Sequence, residues 1–348
     1  MVWNNDRILR RWKNDRYFRY LKQYRTGISG IGAYIPEHSI PISELIPNIT
    51  EDKIKSFGVQ SILWEPKLSA IEMAEKASRM AIDNAGINVE EIDTIINTQA
   101  SIHDYLMWIA AADLQYRLGA RNASFFDIYQ GCSGFVEGIK IAECLIESGR
   151  AEKVLVASAE KWDCAIRKRY IGKMVYGEGG AAVVVEKDCR SNVVLGHSHI
   201  SLGYFNDISR IQIGAQNPPE NEHMLSEYDF SVVNLEKSKN ELLPINIENF
   251  YIVGEKAAAD SGITVKDLNA IIFPSAGFGL MEKVIKRYDF DLSATNHEYM
   301  SHAGDCGTVD VIISLYRMLK DKKIKKGDNV LILAQGAGFV WNSIIIKI

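Results

Sequence analysis

From Ser124 to Ser148 the chain reads SFFDIYQGCSGFVEGIKIAECLIES, and its apolar positions change period midway. Ser124–Ile128 reads as a short buried strand, a glycine turn follows, and Phe135, Ile139, Ala142 and Ile146 recur at the spacing of one helix face. The same alternation continues on both sides. GISGIGAYIP, from Gly27, predicts a strand closed by Pro36, and Ala70–Ala85 predicts a helix. Ile92–Asn97 predicts a strand, and SIHDYLMWIAAADLQYRLG a loop entering an apolar helix. Lys153–Ala159 is an apolar, β-branched strand, and Tyr176–Val185 a glycine turn with another buried strand. Strands alternating with helices predict an α/β fold with mostly parallel sheets buried on both faces.

The pattern then repeats. DNAGINVEEIDTIIN from Asp83 parallels DSGITVKDLNAIIF from Asp260, with Gly86 and Gly262 standing 176 residues apart. The same offset lays Val154–Val156 on Val330–Ile332, and the helix after Cys132 on Asp310–Leu319. Three elements sharing one offset indicate an internal duplication. The expected organisation is a basic extension at 1–26, an N-terminal half at 27–190 and a C-terminal half at 191–348. Residues 203–248, which contain NPPENEH, break the repeat and read as an insertion. In such folds ligands collect beyond the carboxyl ends of the strands. The loops expected there are the Cys132 turn, Phe273–Gly279, Ser301–Asp310 and Ala334–Phe339.

Composition narrows the function classes. The 348 residues are 47% hydrophobic and 24% charged, with a net charge of -4, which argues against nucleic acid as the main partner. No apolar run approaches the roughly 20 residues that span a bilayer, and the N-terminus has no apolar signal core, so a cytoplasmic protein without a membrane partner is expected. Five cysteines with no CxxC pair fit reduced thiols and argue against a zinc site. Residues 1–26 are rich in Arg, Lys, Trp and Tyr. They fit a docking arm for an acidic partner or, more simply, a solvated helical extension.

Cys132, between Gly131 and Gly134 and just before a helix, is the candidate nucleophile. The unpaired N–H groups and positive end of that helix would lower its pKa and favour the thiolate. The alternative is a small buried residue with no chemistry.

QGCSGF around Cys132, KVLVASAE, YGEGGAAVVV and the terminal GAGFVW together make the chain resemble the thiolase-like superfamily, and within it the β-ketoacyl-acyl carrier protein synthase III group. The similarity covers about residues 27–348. It implies a duplicated five-layer αβαβα fold, a homodimer, and no cofactor beyond the acyl-coenzyme A or acyl carrier protein that serves as substrate. It also implies that Cys132 accepts an acyl group, with an oxyanion hole from the backbone N–H of Cys132 and of Ala337. Leu106 and Met107, in HDYLMW, match the segment that closes the partner's acyl tunnel, and Phe278 is a further expected substrate contact. Lys283, Lys286 and Arg287 resemble a basic helix able to receive an acidic carrier protein. The coenzyme A-binding arginine segment appears as SFGVQS, Ser56–Ser61, without its arginine, which favours a carrier-bound donor.

The departures from the family pattern carry the functional argument. The histidine of the condensing members falls on Ser275 and their asparagine on Asp305. Serine cannot replace an imidazole, and an ionised Asp305 would oppose an enolate, so decarboxylative condensation is not expected. His302 is the candidate general base, oriented by Asp305 or Asp310 in a Cys–His–Asp constellation. The leading expectation is an acyltransferase of fatty-acid-like, polyketide or specialised metabolism. A condensing enzyme with rearranged residues and a catalytically weak ketosynthase-like partner subunit are the alternatives.

Overall fold

The computed structural model describes residues 25–220 and 229–348, so the basic extension (but for its last two residues) and the tip of the 203–248 segment lie outside the described residues. Nine strands form one sheet: β1 (Thr26–Tyr34), β2 (Thr94–Gln99), β3 (Ser124–Tyr129), β4 (Lys153–Glu160), β5 (Gly179–Lys187), β6 (Val193–Ser201), β7 (Ala270–Ile272), β8 (Asn329–Gly336) and β9 (Val340–Lys347). Their order is β7-β8-β9-β6-β1-β5-β4-β2-β3. The pairs β4–β2, β2–β3 and β7–β8 are parallel, and the others antiparallel. The two half-sheets meet where Gly27 of β1 pairs with Val193 of β6.

Six longer helices complete the layers: α1 (Ala70–Ala85), α2 (Ala110–Leu118), α3 (Gly134–Glu147), α4 (Leu243–Asp260), α5 (Phe278–Arg287) and α6 (Asp310–Lys320). The strands are apolar on both faces because each half-sheet is covered twice. Val154 and Val156 of β4 face α3 and α6, while Leu155 and Ala157 face α1 and α2. On the other half, Val330 and Ile332 of β8 meet α3 and α6, while Leu331 and Leu333 meet α4 and α5. The result is five layers, with α3 and α6 in the middle. Phe135, Ile139, Ala142 and Ile146 are fully buried there, each large side chain contributing roughly 1.5–3 kcal/mol by burial.

Local chemistry sets the helix ends. Ser69 and Glu72 form a reciprocal capping box at the start of α1, and Gly86 closes it in a left-handed conformation. A helical run from Leu235 leads into α4, so it takes in the last residues of the 203–248 segment. The 176-residue offset relates β2 to β7, β4 to β8, and α3 to α6.

Two expectations are corrected. The sheet is mixed, with three parallel and five antiparallel pairs, and not mostly parallel, because β5 and β1 in one half and β9 and β6 in the other run against their neighbours. Ser124–Ile128 is not buried: β3 is the sheet's edge strand, paired only to β2, and Phe125, Phe126 and Tyr129 are exposed. Its parallel partner covers one side and no element among the described residues covers the other. Among the described residues, no helix is long and apolar enough to cross a membrane.

Candidate active site

Cys132 lies in a 3₁₀ turn, Gly131–Ser133, that runs directly into α3. Gly131 has φ +56, and a Cβ there would stand 3.1 Å from the Ala337 backbone nitrogen. A Cβ on Gly336 would come within 2.3 Å of the Gln130 carbonyl oxygen. Glycine at both positions therefore lets the loop after β8 press its backbone against the cysteine turn.

The C-terminal copy has the same turn. Gly307–Val309 is a 3₁₀ turn that leads into α6, Gly307 has φ +62, and Thr308 stands 176 residues after Cys132. Thr308 carries no free nucleophile. Its hydroxyl is 2.6 Å from Ser158 Oγ and donates to Glu160 Oε1 at 2.8 Å. Glu160 is completely buried and also accepts from Ala100 N, Ser101 N and Ser101 Oγ. It escaped the sequence reading, although it is the sole acid ending the apolar strand β4 at its carboxyl end, where sites form.

Two further carboxyls are buried beside it. Asp310, at the start of α6, accepts the Ser275 N–H at 2.7 Å and the Ser275 hydroxyl at 3.0 Å, one on each oxygen. Asp305 is 5% exposed and accepts the Gly307 N–H at 2.8 Å on Oδ1. Burial, then the charge of Asp310, hold Asp305 well above the usual carboxylate range. Burial raises Asp310 to about 6, against the hydrogen bonds from Ser275 and Cys306 that oppose it. Tyr176, whose ring meets Trp162 at 5.0 Å, is buried and raised by burial, Asp305 and Cys132.

These groups reverse the expected electrostatics of the thiol. Burial first, then Asp305, Glu160 and Asp310, push Cys132 well above an ordinary cysteine, and its own turn N–H offsets only part of this. Asp305 is correspondingly not the plain carboxylate expected from its sequence position.

His302 is not part of this group. It is exposed, and its Nδ1 lies 3.5 Å from Ser61 Oγ, on the strand of the Ser61–Trp64 hairpin. The backbone accounts for this: Ser301 and Ala303 carbonyls accept N–H groups of Gln60 and Leu63, and the side chain between them points outward. The Cys–His–Asp constellation is therefore replaced by Cys132, Asp305 and Asp310 with Ser275. Phe278 is half-buried at the start of α5, packed so closely on Gly58 that a Cβ there would meet it at 2.4 Å. Leu106 and Met107 are exposed, as is neighbouring Tyr105. Lys283, Lys286 and Arg287 form an exposed face of α5, with Arg287 stacked on the Tyr251 ring at 3.7 Å. Two surface hollows of about 610 and 590 Å³ are lined by neither Cys132 nor the carboxyls.

The family model described as 3-oxoacyl-[acyl-carrier-protein (ACP)] synthase III matches residues 126–202, and the model of its C-terminal part matches 258–348. The β-ketoacyl-[acyl-carrier-protein] synthase III of Fusobacterium nucleatum is 27% identical over 92% of this chain and 98% of its own length. The crystal structure of 3-oxoacyl-[acyl-carrier-protein] synthase III from Aquifex aeolicus superposes with a TM-score of 0.80 at 22% identity, covering 93% of this chain and 100% of that one. A structure described as the acyltransferase ChlB3 superposes with a TM-score of 0.81 at 18% identity, covering 93% and 98%. With the five-layer fold and the cysteine turn, these findings make the chain similar to the β-ketoacyl-[acyl-carrier-protein] synthase III proteins in sequence, and it shares the fold of the solved structures.

Proposed function

We propose that this protein is an acyltransferase that takes an acyl group from a carrier-protein or coenzyme A thioester onto Cys132 and passes it to a nucleophile without decarboxylation. The observation that carries this reading is the set of three buried carboxyls, Asp305, Asp310 and Glu160, acting on the thiol. A malonyl group brings its own carboxylate, which such surroundings repel, and its decarboxylation needs donors aimed at the thioester carbonyl. Ser275 stands where the condensing relatives have histidine, and it has spent both its N–H and its hydroxyl on Asp310. Transfer to an uncharged O–H, N–H or S–H acceptor needs instead a group that can take a proton, and Asp305 is one. The backbone N–H groups of Cys132 and Ala337, on the two apposed glycine turns, are the proposed oxyanion hole.

The remaining parts of the reading follow the same family. The exposed basic face of α5 suits an acidic carrier protein, and the acyl donor arrives as a substrate, so no resident cofactor is needed. The exposed edge of β3 and the exposed Leu106 and Met107 suit a homodimer. The proposed location is the cytoplasm, where free thiols persist.

Intact-mass measurement after incubation with a panel of acyl-carrier and acyl-coenzyme A donors is the test. An acyl adduct that disappears in Cys132→Ala is expected. Absence of an adduct with every donor overturns the enzyme reading and favours a ketosynthase-like partner subunit. Carbon dioxide release from a malonyl thioester overturns the non-decarboxylating part and leaves a condensing enzyme.

A further inference from the structure

We infer that Asp305 is the group that moves the proton during acyl transfer. This rests on the acyl-transfer reading and assigns the base within it.

The geometry eliminates the other bases near the thiol. His302 points outward to Ser61. Glu160 is saturated: three backbone N–H groups and two hydroxyls from two separate loops occupy its oxygens, so it braces those loops and has no free oxygen for a substrate. Asp310 is similarly committed to Ser275 on both oxygens. Asp305 differs. Gly307 N–H engages Oδ1, and among the described residues no hydrogen bond occupies Oδ2. Asp305 is also the carboxyl that acts most strongly on Cys132, after the effect of burial itself. Its backbone is fixed on both sides, its N–H donating to the Val175 carbonyl and its carbonyl accepting from Gly177, so the side chain is held beside Tyr176.

The groups facing Asp305 are Cys132 from the turn before α3, Glu160 from the end of β4, Tyr176 from the turn before β5, and Asp310 from α6, with Arg317 of α6 acting on Asp310. All but Arg317 are acids, and the charge of Asp310 makes that of Asp305 harder to hold. In the first half-reaction the Cys132 sulfur attacks the donor's thioester carbon, and the thiol proton passes to Asp305 Oδ2. The donor carbon–sulfur bond breaks and the departing thiolate takes that proton. In the second half-reaction the acceptor's O–H, N–H or S–H attacks the acyl carbon and gives its proton to Asp305. The bond to Cys132 breaks and Asp305 returns the proton to the Cys132 thiolate. No oxidant or further reactant is consumed.

Single-turnover experiments on the full-length protein test the assignment, using a saturated acyl donor to load Cys132 and a small thiol or amine as acceptor. Asp305→Asn is expected to slow acyl release by about 10²–10⁴-fold, so that the Cys132 adduct accumulates. The same variant removes a negative charge from the thiol, and iodoacetamide alkylation of Cys132 should move to lower pH. Asp310→Asn keeps Asp305 but removes its charged neighbour, so the rising limb of the release rate should shift to lower pH. Acyl release from Asp305→Asn at the parent rate overturns the assignment, as does an Asp310→Asn profile that does not shift. Failure of the parent protein to form any adduct overturns the acyl-transfer reading itself, which separates the two failures.

Discussion

Ser275 gives both of its hydrogen bonds, from N–H and from hydroxyl, to the two oxygens of Asp310, which stands at the first turn of α6. The pair closes on itself: Ser275 has no donor left for a substrate. Ser275→Ala removes the hydroxyl and leaves one buried Asp310 oxygen unpaired. Loss of about 1–3 kcal/mol of stability is expected by urea denaturation, with the Asp310 pKa rising further above 6. An unchanged midpoint at neutral pH would show that the hydroxyl bond contributes nothing.

Because Asp310 titrates near 6 in the folded protein and near 3.8 in an ordinary peptide, the folded state holds its proton more tightly. Its contribution to stability is fully present below about pH 4 and is lost as pH rises through 6. Asp310→Asn, which cannot titrate, should therefore gain stability relative to the parent between those limits, by on the order of 3 kcal/mol. Parallel stability curves for the two proteins across this interval would contradict the raised pKa.

Alkylation mapped by peptide mass spectrometry should find Cys132 unreactive at neutral pH, with exposed Cys164 modified first. Burial and three acids outweigh the helix start. Labelling of Cys132 ahead of Cys164 at neutral pH would mean that the carboxyls are neutral or displaced.

The double variant Ser275→His with Asp305→Asn introduces the imidazole and amide expected of a condensing enzyme at these positions. Carbon dioxide release from a malonyl thioester, absent from the parent, should become measurable. Equal release by both proteins would remove the electrostatic argument.

Phe125→Lys and Phe126→Lys place charge on the open edge of β3. Light scattering should show a dimer becoming a monomer, with little change in the monomer's own stability, since neither ring belongs to the core. A monomeric parent would sink the proposed use of that edge.

Much of this fold could be read from periodicity. The buried stripe of α3 fell on the predicted residues because a helix sandwiched between two sheets must be apolar along its length. The C-terminal elements followed from one offset. What escaped was set by neighbours rather than by local pattern. SFFDIY has the composition of a buried strand, and only its place at the end of the sheet order exposes it. His302 has the right side chain in the right loop, yet pairing of the flanking residues with Gln60 and Leu63 turns it outward. Glu160 sits alone at the end of an apolar strand. Its meaning appears only when Ala100, Ser101 and Thr308 converge on it from distant parts of the chain.

Thr308 shows what separates the two copies. The duplicated turn offers two equivalent seats for a nucleophile, with the same left-handed glycine before each and a helix after each. At one seat stands a free thiol; at the other the hydroxyl is a rivet, held by Ser158 and Glu160. The asymmetry needed for catalysis comes from which seat is left unfastened, while the backbone stays the same. Installing a thiol at the second seat would break the bonds that keep Glu160 in place before it created a second reactive centre, so the copies have divided their labour irreversibly between reacting and holding.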